Sequence, residues 1–356
     1  MPTKNLPKLT YLITGLQFGG ANTGMARLLS ELESDEFDIT VVAIAKTPPD
    51  VVSMLPDHVD VLHLQIEGIS GIPKLRHLIG RLRVTDILVC SLFHATAIGV
   101  PLGLLFRVPQ ILVWQHNTSY QTAFRARSYQ FAYAAADRVL ADSEAVRSML
   151  VDSIGVPDEK VSTLPIAGIN MSQFRAITEK NPNKDKIVVS TVGRLNEIKG
   201  YDNLIQTAEL LPDKFRFNIV GDGERYEELV SGSPNNVHFA GTISNEDIPQ
   251  FLNKSDIYFQ PSKREGLCMT VIEAMACELP IVASNVGGIT ESVVNGETGF
   301  LCEPGDISCY VHKIDKLASE PSLRDEMGSA GRERVIAHYS QRELADQFRN
   351  AVEEVK

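Results

Sequence analysis

Two doubly wound α/β domains, each a parallel sheet with helices on both faces, are what this 356-residue sequence predicts. Three observations lead there. Continuous Val/Ile/Leu runs alternate with stretches of helical period, the pattern of strands buried on both faces. The alternation comes in two series, parted by a polar segment without strong period at residues 169–185, which reads as a linker. Several strand ends run into glycine-containing turns, and parallel sheets take their ligands at that edge.

Taken in order, the first series places strands at 9–14, 39–44, 61–64, 87–90, 110–114, 138–141 and 161–164, with helices at 25–32, 75–83 and 143–153 among them. The second places strands at 186–192, 215–220, 237–240, 257–260, 281–283 and 299–301, with helices at 201–210, 225–231 and from 271. Residues 334–356 read as one long amphipathic helix. The boundaries that follow are 1–169 for the first domain, joined by the last helix (336–356), and 170–335 for the second. The opening residues, Met1 to Leu16, fit a first buried strand and a Gly turn better than a signal peptide. No apolar run reaches the roughly 18 residues of a spanning helix; the longest, 95–106, is interrupted by Pro101.

Composition and charge narrow the function. The chain is 44% hydrophobic and 22% charged, with formal net charge -11, which argues against nucleic acid as a partner. The charge is uneven. Between residues 68 and 136 lie Lys74, Arg76, Arg81, Arg83, Arg107, Arg125 and Arg127 against Asp86 alone. The five cysteines form no C-x-x-C, so neither a disulfide framework nor a zinc site is expected, and a reducing cytoplasm fits.

The chemistry concentrates in a few motifs. Glu265 and Glu273 stand eight residues apart, the first in a turn with Gly266, the second on an apolar helical run. A chain entering a helix through such a turn leaves its first N–H groups unpaired, an anion site suited to a diphosphate. Glu273, about a turn further on, can reach a neutral polyol such as a ribose; two solvated acids on a helix are the alternative. Arg194 and Lys199 flank the loop that leaves strand 186–192. Two cations held close repel unless an anion joins them, and a diphosphate is one; ordinary solvated surface charge is the alternative. Gly19 and Gly20 open a strand–loop–helix turn that lets backbone approach a phosphate, or simply a tight turn. Asp222, between Gly221 and Gly223, reads as a turn rather than a metal ligand. His116 follows strand 110–114 and has the best claim of the eight histidines to function, although a lone His is often structural.

Together these residues resemble the family 4 glycosyltransferases. The resemblance runs over nearly the whole chain: the Gly19-Gly20-Ala21 loop, the Gly-Arg-x4-Lys-Gly loop from Gly193 to Gly200, the Gly-Asp-Gly turn, the E-x7-E stretch from Glu265 to Glu273, the Gly287-Gly288-x-x-Glu291 turn and the Asn-Gly-Glu-Thr-Gly-Phe-Leu segment from Asn295. It implies the GT-B fold, two Rossmann-like domains facing across a cleft with the C-terminal helix crossing back, and a retaining transfer. It also assigns roles. Arg194 and Lys199 hold the diphosphate of a nucleotide sugar, Glu273 the ribose. Glu265, Gly266, Leu267, Cys268, Met269 and Thr270 meet the sugar or its phosphates, Gly19 and Gly20 approach the diphosphate, and His116 lies near the reaction centre. Neither metal nor cofactor is implied. Departures are Cys268, where Gly, Pro or Ser is usual, Ala167 in place of Asn at the domain junction, and Asn22, where Glu is common.

The resemblance further implies a UDP-sugar donor, a glycan or lipid-linked acceptor, and cell-surface polysaccharide or glycolipid synthesis. The competing classes are an inactive sugar-nucleotide-binding partner of another transferase and a sugar-nucleotide epimerase of similar scaffold. Basic residues beside apolar ones at 74–83 and 120–133 suit a peripheral contact with an anionic leaflet, at the cytoplasmic face. The alternative is that Leu75, Leu78, Ile79 and Leu82 face the core and leave solvated arginines.

Overall fold

Each series of the alternating pattern condenses into its own parallel sheet. The computed structural model describes residues 6–16, 20–45, 52, 54–66, 73–118, 122–177 and 186–354. The chain divides into two units, Met1–Gly168 with Gln341–Lys356, and Ile169–Ser340.

The first unit holds β1 (Lys8–Ile13), β2 (Asp38–Ala43), β3 (Asp60–His63), β4 (Ile87–Ser91), β5 (Gln110–Gln115), β6 (Arg138–Ala141) and β7 (Val161–Thr163) in the order β3-β2-β1-β4-β5-β6-β7. All the pairings are parallel. The winding direction reverses between β1 and β4, so ligand-competent loops gather at that switch point. Successive side chains of a strand point to opposite faces, and β1 feeds two cores accordingly. Leu9, Tyr11 and Ile13 join Trp114 on one face, while Leu12 joins Leu88, Cys90 and Val113 on the other. Helices α1 (Gly20–Leu29), α2 (Leu75–Leu82), α3 (Phe93–Leu105), α4 (Ala123–Ala135) and α5 (Glu144–Ser148) cover the sheet.

The second unit repeats the plan with six strands: β8 (Ile187–Val192), β9 (Phe215–Val220), β10 (Val237–Phe239), β11 (Ile257–Gln260), β12 (Ile281–Ser284) and β13 (Gly299–Cys302), in the order β10-β9-β8-β11-β12-β13. Its helices are α6 (Tyr201–Leu210), α7 (Tyr226–Ser231), α8 (Ile248–Asn253), α9 (Met269–Ala276), α10 (Ile289–Ser292), α11 (Ile307–Ser319) and α12 (Pro321–His338). Then α13 (Gln341–Glu353) returns to the first unit, where Leu344, Ala345, Phe348, Ala351 and Val352 complete the core beside α1.

Several expectations need correction. Residues 334–356 are not one helix. The backbone at Tyr339 and Ser340 pairs with Ile169, whose N–H donates to the Tyr339 carbonyl at 2.7 Å, and that pairing breaks the helical path. The start of the supposed linker is packed, not free: Ile169 and Phe174 are buried, and Arg332 Nη1 donates to the Phe174 carbonyl at 2.7 Å. Residues 178–185 lie outside the described residues. The helix expected from Met25 begins at Gly20, and α3 runs through Pro101 without interruption. A disulfide was not expected, yet Cys302 at the end of β13 is bonded to Cys309 in the first turn of α11. A turn at residues 303–306, with Gly305 at φ +84°, brings α11 back beside the strand, a proximity that C-x6-C spacing alone does not announce. Among the described residues no helix is long and apolar enough to cross a membrane.

Candidate active site

In the second unit four loops leave the carboxyl ends of β8, β9, β11 and β12, on either side of the β8/β11 switch point. They lie backbone against backbone, and two glycines make this feasible. Gly200 has φ +68°, and a Cβ there would stand 2.0 Å from the Pro261 carbonyl oxygen. Gly287, at φ +50°, would place one 2.0 Å from the Glu265 carbonyl oxygen. The neighbouring Gly288 N–H donates to the Gly266 carbonyl. The glycine pair before α10 therefore sets the height at which Glu265 and Gly266 sit.

Between these loops lies a charge pair. Asn196 caps a single turn of 3-10 helix, Glu197–Lys199, by accepting from the Lys199 N–H. Lys199 then crosses the Gly193 backbone, and its Nζ meets Glu265 Oε1 at 2.7 Å. The same Oε1 accepts from Ser262 Oγ at 2.6 Å. Side-chain exposures of 19% and 9% leave Lys199 and Glu265 largely out of water. Burial is the largest influence and works against the ammonium, but Glu265, with Cys268 and Tyr201 adding to it, outweighs burial and holds Lys199 above its ordinary range. The chain of bonds continues inward. Gln260 Nε2 donates to Ser262 Oγ at 2.8 Å, and the Tyr258 hydroxyl donates to Gln260 Oε1 at 3.0 Å. Arg194 is exposed on the same loop as Lys199. Cys268, with φ +58°, precedes α9; Leu267 and Cys268 are buried, while Gly266, Met269 and Thr270 are half-buried. Burial, then Glu265, pushes the Cys268 thiol up to about 12. Glu273 lies buried midway along α9. Asp222 accepts from the Gly223 N–H at 2.8 Å, a turn contact.

In the first unit His116 follows β5 and is held on both ring nitrogens. Nδ1 stands 2.7 Å from Asp142 Oδ2, beyond β6, and Nε2 stands 2.8 Å from Ser91 Oγ, at the end of β4. The other carboxylate oxygen of Asp142 accepts from Trp114 Nε1 at 2.7 Å. The imidazole stacks on Trp114, and Trp114 stacks on Phe348 of α13. Gly20 is the first residue of α1; Gly19 lies outside the described residues.

Two domain families match the chain: "Glycosyl transferase 4-like domain" over residues 19–167 and "Glycosyl transferases group 1" over residues 173–334. The chain belongs to the family 4 glycosyltransferases. A capsular polysaccharide biosynthesis glycosyltransferase of Staphylococcus aureus, CapM, is 30% identical over 233 residues, covering 59% of this chain and 60% of CapM. This glycosyltransferase-family chain thus spans less than two thirds of that relative's length. An uncharacterized glycosyltransferase of Haemophilus influenzae is 27% identical, covering 92% of this chain and 95% of its own. The crystal structure of Anabaena HepE in complex with UDP and glucose superimposes with a TM-score of 0.86 at 20% identity, over 98% of this chain and 99% of HepE. That likeness is one of fold, the GT-B pair of Rossmann-like domains.

The structure brings Lys199 and Glu265 into direct contact and puts Arg194 on the same loop. Sequence reading missed Ser262, Gln260 and Tyr258, which support Glu265 from below, and Asp142 and Ser91, which hold His116. Ser262 stands three residues before Glu265, just outside the E-x7-E stretch. Gln260 and Tyr258 lie inside a short apolar strand run that reads as core, and Asp142 and Ser91 meet His116 from the ends of other strands.

Proposed function

We propose that this chain is a retaining glycosyltransferase that moves a sugar from a nucleotide-sugar donor, a UDP-sugar, to a glycan or lipid-linked acceptor in cell-surface polysaccharide or glycolipid synthesis. The observation that carries the reading is the Lys199–Glu265 pair at the sheet switch point, on a loop that also offers Arg194. An ammonium balanced by one carboxylate retains N–H donors for a diphosphate. As the glycosidic bond breaks, negative charge gathers on the leaving nucleoside diphosphate, and fixed cations and backbone N–H groups stabilise it. Gly266 to Thr270 supply those N–H groups at the entry to α9. Glu273 binds the ribose, Glu265 faces the sugar, His116 lies by the reaction centre, and Gly19 and Gly20 approach the diphosphate. The acceptor hydroxyl attacks from the leaving-group side and gives its proton to the departing phosphate. This chemistry needs neither metal nor cofactor.

The location that suits such an enzyme is the cytoplasm, at the membrane face. Leu78 and Leu82 turn inward and Arg81 binds Thr10 and Asp38, so α2 offers little to a leaflet. On α4, Phe124 and Phe131 are exposed beside Arg127, along a groove of about 420 Å³ that Pro101 also lines. Salt-sensitive sedimentation with anionic vesicles is expected; indifference to lipid charge would remove this membrane role.

The test of function is a panel of nucleotide sugars scored by thermal stabilisation in excess EDTA. A donor at 100 times its Kd adds about 2.7 kcal/mol to the folded state. No stabilisation by any UDP-sugar, or binding restored only by added Mn²⁺ or Mg²⁺, would overturn the reading.

A further inference from the structure

The surroundings of His116 decide which of its nitrogens carries the proton. Indole N–H groups only donate and an ionised carboxylate only accepts. Trp114 donates to Asp142 Oδ1, so Oδ2 remains to face His116 Nδ1 across 2.7 Å. Only a protonated Nδ1 makes that contact a hydrogen bond. On the neutral ring Nε2 is then a bare acceptor, and the hydrogen at 2.8 Å comes from Ser91 Oγ. Asp142, Ser91 and Trp114 are all buried, and the His116 side chain is 8% exposed, so water offers little competition.

We propose that Asp142 is a positioning residue that, with Trp114, locks His116 as the Nδ1–H tautomer and makes its Nε2 a hydrogen-bond acceptor for a hydroxyl of the donor sugar. This rests on the reading of His116 as a group near the sugar. An acceptor nitrogen recognises an O–H and repels an anionic phosphate oxygen, so it selects sugar over diphosphate. Ser91 fills the acceptor position here. When a sugar hydroxyl takes its place, Ser91 turns its proton to the buried Tyr11 hydroxyl beside it.

The same logic supplies the test. In Asp142→Asn the Trp114 N–H still claims the side-chain oxygen, leaving the amide NH2 toward Nδ1. Nδ1 must then accept, and the proton moves to Nε2. An analogous Asp-to-Asn change in a Ser-His-Asp triad enforces the wrong tautomer in this way. With Trp114→Phe added, the amide is free to turn its oxygen to Nδ1, and the original tautomer returns. Nitrogen-15 NMR of the neutral His116 ring reads this directly. The expected result is Nδ1–H in the wild type and in Ser91→Ala, Nε2–H in Asp142→Asn, and Nδ1–H again in the Trp114→Phe/Asp142→Asn pair. Turnover of UDP-glucose and UDP-N-acetylglucosamine should fall about tenfold to a hundredfold in Asp142→Asn, the effect of one mispaired buried group, and recover in part in the double variant relative to Trp114→Phe alone. An unchanged tautomer in Asp142→Asn, or reversal in Ser91→Ala, overturns the proposal, as does a reversed tautomer with undiminished turnover. The tautomer is read without substrate. Wild-type protein inert to both sugar nucleotides would count against the transferase reading, while the spectra still decide the lock.

Discussion

Lys199 and Glu265 are each other's main charge partner, and that changes what a single substitution does. Lys199→Ala removes a donor for developing charge, worth around 2.7–4 kcal/mol of barrier. It also leaves Glu265, 9% exposed, without its cationic partner and with Ser262 as its hydrogen-bond partner. That costs about 3 kcal/mol of stability, the low end for broken buried pairs. Adding Glu265→Gln should restore the melting temperature without restoring turnover; recovery of both would show that Lys199 serves folding only. Glu273→Ala should weaken binding of free UDP while leaving the fold intact, measured by calorimetry. A third residue-scale prediction concerns pH. Cys268 ionises near 9 when unfolded and at about 12 when folded. The folded state thus keeps its proton longer, so stability is whole below pH 9 and is lost as pH rises toward 12. Melting temperatures between pH 9 and 11 should fall less steeply in Cys268→Ser. The charged members of the candidate site were legible because they stand in glycine-containing turns that follow strands. Asp142 and Ser91 were not: they reach His116 from 26 and 25 residues away, and nothing local marks them.

Loops and helix ends decide how those residues are held. Gly287→Ala combines a positive φ with a Cβ that would collide with the Glu265 carbonyl. A loss of about 1–3 kcal/mol is expected, the cost of a strained backbone site, together with weaker UDP binding because Glu265 must shift. Unchanged affinity would separate the glycine turn from the site. The Cys302–Cys309 bridge closes a short loop, so its reduction should cost about 2–3 kcal/mol on the chain-entropy account; melting with and without dithiothreitol measures it. In a reducing cytoplasm the two cysteines would be thiols and the protein would work without that contribution. The strands were readable from apolar runs alone, since both faces of each sheet are covered. The break at Tyr339 and Ser340 was not, because helical period continues across it and only the distant Ile169 backbone interrupts it.

At the scale of the whole molecule the unit boundary is crossed twice, once after Gly168 and again after Ser340. The first crossing falls at the edge of the polar segment that the sequence offered as a linker. The second was hidden in what reads as uninterrupted helix. A fragment ending at Gly168 should therefore aggregate or bind hydrophobic dye, since α13 supplies Leu344, Ala345 and Phe348 to its core. Co-expression of residues 341–354 should restore solubility; a fragment that is soluble and cooperatively folded alone would refute this. Protein synthesis meets the same constraint in time. At ~5–20 residues per second, the nascent first unit waits roughly ten to thirty seconds for the helix that fills it, while the second unit emerges and can fold. During that interval the floor beneath Trp114 has no Phe348. The ring against which His116 stacks gains that support only after the whole of the second unit has been made, so His116 is set later than the strand it follows.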